Sequence, residues 1–207
     1  MNAIIFGATG LVGSHLINQL LEKSIYENIT LVVRTPSKIK HKSPTIKIIS
    51  FDDFFQDESL RLDHYYCSLG TTIKKAGSKE SFKEVDFKLV INTLQRSLKF
   101  GVKKAAIVSA LGANENSPFF YNQVKGEMEK EVKKLKEDTI IVRPSLIDGD
   151  RNEKRILEEI GMNIMHFINP LMLGSLKKYR SIKAKDIARA MIELINQEKT
   201  SIDIEYI

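Results

Sequence analysis

The sequence has little from which a metal centre or a disulfide could be built. Its 207 residues include one cysteine, Cys67, and four histidines scattered along the chain. A lone cysteine excludes an intramolecular disulfide and a multi-cysteine metal cluster, and it suits a reducing compartment. The histidines show no ligand-like spacing. We therefore expect a cytoplasmic protein that holds no metal.

Long hydrophobic runs are also missing. The most hydrophobic late stretch, residues 160–176, is interrupted by two asparagines, a histidine and Pro170. It is too short and too interrupted to span a bilayer. Near the N terminus, Gly7 breaks the apolar run too early for a secretory signal. The sequence therefore predicts a soluble protein that does not associate with membranes.

The net charge of +6 comes mainly from lysines that are interleaved with acids, as in residues 125–134. This pattern is typical of a solvated helix face. A nucleic-acid surface more often has a basic cluster without acids, with stacking aromatic residues nearby. We expect no nucleic-acid partner, although excess positive charge can raise the local concentration of an anionic cofactor or substrate.

Apolar segments alternate with amphipathic segments along the chain. Strands are predicted at 3–6, 29–33, 46–49, 65–69, 105–108 and 140–142, with 202–207 as an edge strand or tail. Helices are predicted after Gly13 and at 81–100, 121–136 and 184–197, with a helical region at about 152–172. This alternation predicts an α/β fold, a doubly wound parallel sheet with helices on both faces. We expect a single domain, 1–207, with a small substrate-side region at about 148–180.

A glycine-rich turn joins the first predicted strand to the first helix. Glycines there permit a tight turn and let the backbone approach a pyrophosphate, which lies against free amides at the positive end of the helix. The spacing is G-x-x-G-x-x-G rather than the commoner G-x-G-x-x-G. A purely structural turn is the alternative. The context favours dinucleotide binding by Gly7, Thr9, Gly10, Leu11, Val12 and Gly13.

The end of the second predicted strand indicates which dinucleotide binds. An acid at this place accepts from the ribose hydroxyls of NAD, whereas an arginine accommodates the 2′-phosphate of NADP. Arg34 follows the strand directly, Lys38 is four residues further on, and no acid occurs before Asp52. A surface arginine without a ligand is the alternative. We predict NADP(H) as the preferred cofactor, with NAD(H) possible.

Three candidate catalytic residues follow the fifth predicted strand. Tyr121 and Lys125 are four residues apart in a helical pattern and share one face, and Ser109 lies at the carboxyl end of the strand. Ligands of open α/β sheets bind at that edge. A tyrosine is a poor acid–base catalyst at neutral pH, and a nearby ammonium prepares it for proton transfer. A serine hydroxyl can polarise a substrate carbonyl. Y-x-x-x-K alone is weak evidence for a catalytic pair. Its position after the fifth strand, with Ser109 upstream and the glycine turn at the N terminus, makes that evidence stronger.

These residues resemble the short-chain dehydrogenase/reductase superfamily, and more narrowly its atypical branch related to the Tat-interacting-protein oxidoreductases. The similarity covers nearly the whole chain. It rests on six segments: the glycine turn 7–13, Cys67-Ser-Leu-Gly-Thr-Thr72, Ser109-Ala-Leu-Gly112, Tyr121-Asn-Gln-Val-Lys125, Arg143-Pro-Ser145 and Ile182-Lys-Ala-Lys-Asp-Ile-Ala188.

The resemblance implies a Rossmann fold that binds NADP(H), with Ser109, Tyr121 and Lys125 in catalytic places. It also implies that Lys125 holds the ribose hydroxyls, that Pro144 lies beside the nicotinamide, and that four residues after the fourth strand line the cofactor: Leu69, Gly70, Thr71 and Thr72. The chain departs from many relatives in two respects. Larger relatives have a substantial C-terminal substrate domain, whereas this chain has only residues 148–179 in that place. Asp86 occupies the place of an asparagine that assists a proton relay, and Asn92 lies on the same predicted helix.

Three functions are compatible with these features. The first is an NADP(H)-dependent oxidoreductase that reduces a small carbonyl or quinone-like substrate, with Tyr121 as the general acid. The second is a non-catalytic NADPH-binding redox sensor, and the third is an enzyme of the nucleotide-sugar epimerase type. The partner is expected to be a small-molecule substrate, and the long helices could also bury a homodimer face.

Overall fold

The computed structural model describes residues 1–39, 41–148 and 181–196, together with the backbone of 204–205. The side chain of Lys38 is outside this set. Most of the expected substrate-side region, including the predicted helical stretch 152–172, also lies outside the described residues.

The described residues form nine strands: β1 (Asn2–Phe6), β2 (Asn28–Val33), β3 (Ile46–Ser50), β4 (His64–Cys67), β5 (Lys104–Val108), β6 (Ile140–Val142), β7 (Ile147–Asp148), β8 (Ile182–Lys183) and β9 (Ile204–Glu205). Seven parallel strands form the main sheet, in the order β3-β2-β1-β4-β5-β6-β9. A separate parallel pair is formed by β7 and β8. The predicted doubly wound parallel sheet is therefore confirmed, and the C-terminal segment does pair as an edge strand.

The helices connect these strands. They are α1 (Leu11–Lys23), a 3₁₀ turn (Pro36–Lys38), α2 (Phe51–Gln56), α3 (Ile73–Ala76), α4 (Lys79–Lys83), a π-helical segment (Glu84–Leu89), α5 (Val90–Lys99), α6 (Phe120–Leu135) and α7 (Ala184–Asn196). The single helix predicted at 81–100 is thus interrupted by a π-helical segment. Among the described helices, none combines the length and the apolar character needed to cross a bilayer.

Both faces of the sheet are covered by apolar side chains. Ile5 packs with Leu16 of α1 and Ile187 of α7 in one cluster. Its neighbour Ile4 belongs to a second cluster with Leu94 of α5. Successive strand residues point to opposite faces, so a continuous apolar run such as β1 supplies both clusters.

The strand order reverses at β1, which lies between β2 and β4. The chain builds outward to β3 and then returns across the sheet to β4. Ligands of doubly wound sheets bind outside the carboxyl ends of the strands at this reversal point. Because the strands are parallel, the segments after β1, β2, β4 and β5 all begin at the same edge of the sheet.

Candidate cofactor and active site

The glycine turn between β1 and α1 is held in close contact with the neighbouring strand and with itself. Gly7 has a φ of +80°, and a Cβ there would lie 2.5 Å from the backbone carbonyl carbon of Ser68. A Cβ on Gly13 would lie 2.1 Å from the carbonyl oxygen of Gly7. Both distances are far inside van der Waals contact. These two glycines are therefore required by the fold of the turn.

Gly10 differs because a Cβ there would meet, among the described residues, only the carbonyl oxygen of Gly7, at 3.3 Å. No side chain caps α1 at Gly10, and the first turn of α1 contains no acidic residue. The first helical hydrogen bond runs from the amide of Ser14 to Gly10, so the amides of residues 11–13 precede it. The side chain of Val12 is buried, which leaves only its amide for a ligand. An open glycine surface beside free amides fits a pyrophosphate.

Arg34 follows β2 directly and is exposed at the edge of the sheet where the glycine turn lies. Within the described residues, no carboxylate forms an ion pair with it. Thr9 is likewise exposed on the turn. The position of the Lys38 side chain lies outside the described residues, so its predicted role stays a prediction.

The segment after β4 uses several of its polar groups internally. The backbone amide of Thr71 donates to Oδ2 of Asp86 at 2.8 Å. The Thr72 hydroxyl accepts from the amide of Lys75 at 3.1 Å and caps α3. Leu69 packs against the core, and Gly70 is exposed. Internal hydrogen bonds of the Thr71 amide and the Thr72 hydroxyl therefore hold this loop, and Gly70 is exposed on it.

Lys125 lies in the interior, beside Asp86 of the π-helical segment. Its Nζ is 2.7 Å from Oδ1 of Asp86, and the two side chains are only 4% and 1% exposed. Burial by itself lowers the pKa of Lys125, but the carboxylate of Asp86 and, to a smaller extent, Tyr121 raise it more, so the net shift of the pKa is upward. Lys125 is therefore a charged ammonium held by a carboxylate.

Tyr121 lies one turn before Lys125 on α6 and is 37% exposed. Its ring packs against Phe82, with the centroids 5.5 Å apart. Within the described contacts, no hydrogen bond joins the Tyr121 hydroxyl to Lys125. The two side chains share one face, as the spacing predicts, but the direct partner of the ammonium is Asp86. Asn92, the other candidate on the predicted helix, is exposed.

Ser109 lies at the carboxyl end of β5. Its amide donates to Val142 of β6 at 2.8 Å, and the residue is 4% exposed. Its hydroxyl oxygen is buried and has no hydrogen-bond partner among the described residues. A buried hydroxyl without a partner is unfavourable unless something else satisfies it, so this atom fits a site that a ligand completes. Pro144 is buried nearby, and its carbonyl accepts from Leu111 at 2.8 Å.

A largely buried ion pair joins the middle of α6 to the segment after β6. Glu129, one turn after Lys125, accepts from Nε of Arg143 at 2.9 Å and makes a second, short contact with the same guanidinium. Arg143 immediately precedes Pro144, so this pair connects α6 to the segment after β6. Sequence reasoning missed Glu129, although Tyr121, Lys125 and Glu129 recur at a spacing of four residues, which places all three on one helix face.

The chain is similar to a group of fungal proteins. A protein of Candida albicans named "Protein FMP52, mitochondrial" is 32% identical over 201 residues, which cover 93% of this chain and 87% of that protein. Other fungal relatives have the same name and location.

These names give a mitochondrial location and contradict the prediction of a cytoplasmic protein. That prediction, which was inferred from composition, is wrong. A single buried cysteine excludes a disulfide. It does not identify which reducing compartment contains the protein. The prediction had no other positive support, because destination is not encoded in the packing of a fold.

Solved structures show the same architecture. UDP-glucose 4-epimerase of Thermotoga maritima superimposes with a TM-score of 0.68 at 17% identity, over 95% of this chain and 74% of that one. The human epimerase family protein SDR39U1, solved with NADPH, gives 0.65 at 19% identity, over 99% and 72% of the two chains. A family model described as NAD(P)H-binding matches residues 7–198. The chain therefore belongs to the NAD(P)H-binding family, and its fold is the Rossmann fold of these solved structures.

Proposed function

We propose that this protein is an NADP(H)-dependent oxidoreductase that reduces a small carbonyl or quinone-like substrate. The observation that carries the proposal is the unpartnered hydroxyl of Ser109. It is buried at the carboxyl end of β5, at the same sheet edge as the glycine turn, and no described residue satisfies it. A hydroxyl in that place can donate a hydrogen bond to a substrate oxygen.

The cofactor would be held by backbone at one end and by charge at the other. The amides of residues 11–13 would receive the pyrophosphate, and the exposed surface of Gly10 would let it approach. Arg34 would bind the 2′-phosphate through a planar, bidentate contact, which favours NADP(H) over NAD(H). Gly70 would lie along the cofactor and Pro144 beside the nicotinamide, as the family resemblance implies.

The proposed reduction divides into hydride delivery and proton delivery. When bound, the reduced nicotinamide supplies a hydride, with its electron pair, to the carbonyl carbon. Ser109 orients the carbonyl oxygen, and Tyr121 transfers its phenolic proton to that oxygen, which completes the alcohol. Because Tyr121 is 37% exposed, solvent can return the proton to the phenolate. Lys125 contributes a fixed positive charge to this region.

A non-catalytic NADPH-binding protein is the second candidate. One observation favours it: the ammonium of Lys125 is paired with Asp86, at 2.7 Å, rather than with Tyr121. A lysine whose charge is paired with a carboxylate stabilises a neighbouring phenolate less than an unpaired lysine does. In such a protein, cofactor occupancy would change contacts with another molecule, and the three candidate catalytic residues would have no chemical role.

Turnover separates the two candidates. The wild-type protein is titrated with NADPH and NADH by nucleotide fluorescence and then assayed against carbonyl and quinone substrates by NADPH absorbance. We expect NADPH binding, and turnover that Tyr121→Phe reduces by about 10²-fold or more while NADPH affinity is retained. Tight NADPH binding with no turnover on any substrate would favour the binding protein. Undiminished turnover in Tyr121→Phe would remove the proposed acid.

A further inference from the structure

The carboxylate of Asp86 contacts two parts of the candidate site at once. Oδ2 accepts the backbone amide of Thr71 at 2.8 Å, and Oδ1 lies 2.7 Å from Nζ of Lys125. Thr71 belongs to the segment after β4, and Lys125 belongs to α6. Two elements that are far apart in the sequence thus share one side chain.

Gly70 covers this pair from the side of the loop. A Cβ on Gly70 would lie 3.4 Å from Oδ1 of Asp86 and 4.0 Å from Nζ of Lys125. The loop backbone therefore passes directly over the ion pair, and the exposed face of Gly70 is turned outward.

The segment that contains Asp86 is π-helical. Asp86 lies within Glu84–Leu89, between two regular helical segments, α4 and α5. A π-turn inserts extra backbone into a helix, occurs rarely and is frequent at functional sites. Phe82 before it and Val90 after it are both buried, so each flanking helix keeps its apolar contacts. Asp86 lies four residues after Phe82 and four before Val90, so it occupies the buried face that the two flanking helices share.

Neither charge is stable in the interior without the other. An isolated buried ammonium or carboxylate is strongly unfavourable, and removing one partner of a buried pair leaves the other uncompensated. One carboxylate oxygen of Asp86 contacts the loop and the other contacts Lys125. A movement of the loop or of the lysine therefore shifts the carboxylate and changes its contact with the other partner.

We propose that Asp86 is a positioning residue that couples the segment Leu69–Thr72 to Lys125, so that the cofactor-side loop and the lysine adopt one arrangement before a nicotinamide nucleotide binds. The proposal rests on the proposed function for its connection to the cofactor. The coupling between loop and lysine is a property of the unliganded chain and can be measured without any nucleotide.

The first test measures hydrogen exchange of the Thr71 amide by NMR in the protein without nucleotide. In the wild type we expect slow exchange, because this amide donates to a buried carboxylate. Asp86→Ala should accelerate it by about tenfold or more. Asp86→Asn should preserve most of the protection, since the side-chain amide oxygen can still accept, and this rescue by the conservative variant would not follow from general destabilisation.

The decisive variant is Lys125→Met, which removes a side chain that does not itself contact Thr71. If Asp86 couples the two, exchange of the Thr71 amide should increase, because the carboxylate loses the ammonium that fixes it. The matched control is Lys83→Met. Lys83 forms an ion pair with Glu127 at 2.7 Å in the same region without contacting Asp86. It should leave exchange at Thr71 unchanged.

Nucleotide affinity and stability complete the experiment. Asp86→Ala should weaken NADPH binding by about tenfold, measured by fluorescence titration. The double variant Asp86→Asn/Lys125→Met removes both buried charges. It should fold even where a single variant fails to fold, and where both single variants fold it should lose less stability than the sum of their losses. A simple sum of the two single losses would overturn the coupling.

Two further outcomes would overturn the proposal: unchanged Thr71 exchange in Asp86→Ala, or unchanged Thr71 exchange in Lys125→Met. If the wild-type protein binds no nicotinamide nucleotide, the proposed function fails, and the Thr71 exchange data still decide whether Asp86 couples loop and lysine. The two failures are therefore distinguishable.

Discussion

Gly13 and Gly7 touch across the turn between β1 and α1: a Cβ on Gly13 would lie 2.1 Å from the carbonyl oxygen of Gly7. Gly10 lies between them in sequence and is exposed, and a Cβ on Gly10 would lie 3.3 Å from the same carbonyl oxygen of Gly7. The three glycines of one motif therefore have different physical tasks. Two permit the turn to close, and one keeps a surface open.

This difference predicts separate effects on stability and binding. Gly13→Ala should lower the free energy of unfolding by about 1–3 kcal/mol or more, because backbone must move to admit the methyl group. Gly10→Ala should change stability little, since its φ of −81° suits alanine, but should weaken NADPH binding. Urea denaturation and fluorescence titration measure the two quantities. Wild-type NADPH affinity in Gly10→Ala would contradict the assignment of that surface to the cofactor.

Ser109→Ala should separate catalysis from folding. The hydroxyl has no partner to lose among the described residues, so the free energy of unfolding should change by less than about 0.5 kcal/mol. Turnover of the reduced substrate should fall by about 10²-fold, because an oriented donor to the carbonyl oxygen is lost.

A second buried hydroxyl provides the control for Ser109. The Thr93 hydroxyl lies 2.9 Å from that of Tyr65 and donates to Leu89 at 2.7 Å. Thr93→Val should therefore destabilise the protein by about 1–3 kcal/mol. Comparable destabilisation by Ser109→Ala would show that the serine hydroxyl forms a hydrogen bond within the protein and is not available to bind a substrate.

Arg34→Ala should change cofactor preference. Loss of a charge-assisted contact to the 2′-phosphate should weaken NADPH binding by about 10- to 100-fold and leave NADH binding nearly unchanged. Arg61 is a matched control, because it is also an exposed arginine but lies before β4, at the opposite edge of the sheet. Titration of each variant with both nucleotides is sufficient. Equal affinities for NADPH and NADH in the wild type would exclude phosphate recognition by Arg34.

His64 should make stability depend on pH. Burial lowers the pKa of His64 from 6.5 to about 4, with a further lowering by Lys104 and an opposing effect of Asp63. Its Nδ1 lies 2.6 Å from the Tyr26 hydroxyl, which in turn contacts the Tyr66 hydroxyl at 2.8 Å. Between pH 6.5 and about 4 the unfolded chain binds more protons than the folded one, so stability falls as the pH falls.

The slope assigned to His64 is at most about 1.4 kcal/mol per pH unit in that interval, and it disappears once the pH is below the folded pKa. Urea denaturation across about pH 4 to 7 measures it. His64→Gln removes the titrating group, so the same series on this variant should lose that part of the slope. An identical slope in both proteins would assign the pH dependence to the carboxylates.

Much of the fold follows from local patterns in the sequence. The apolar run of β1, the β-branched run of β2 and the glycine turn identify the first half of a dinucleotide fold, because these signals depend only on neighbouring residues. The boundaries of β5 and β6 are predicted to within one residue for the same reason. Ser109, Tyr121 and Lys125 follow from their positions relative to these strands.

Other features required the folded chain. The predicted fourth strand ends at Cys67 rather than at 69, because the next residues approach Gly7 and then turn toward Asp86. The helix predicted at 81–100 contains a π-helical segment that periodicity does not reveal. The four-residue spacing of Phe82, Asp86 and Val90 places Asp86 on the apolar face of the predicted helix, but spacing does not reveal that its carboxylate pairs with Lys125.

The sequence by itself determined that this protein is a parallel α/β sheet with a dinucleotide turn, since strand runs, helix periodicity and glycine spacing are local properties. Only the tertiary structure decided that the ammonium of Lys125 pairs with Asp86, that the Ser109 hydroxyl is left without a partner among the described residues, and that His64 is buried against Tyr26. Each depends on which distant residues share a buried space, where an unpaired charge or polar group is costly, and that is a property of packing rather than of spacing.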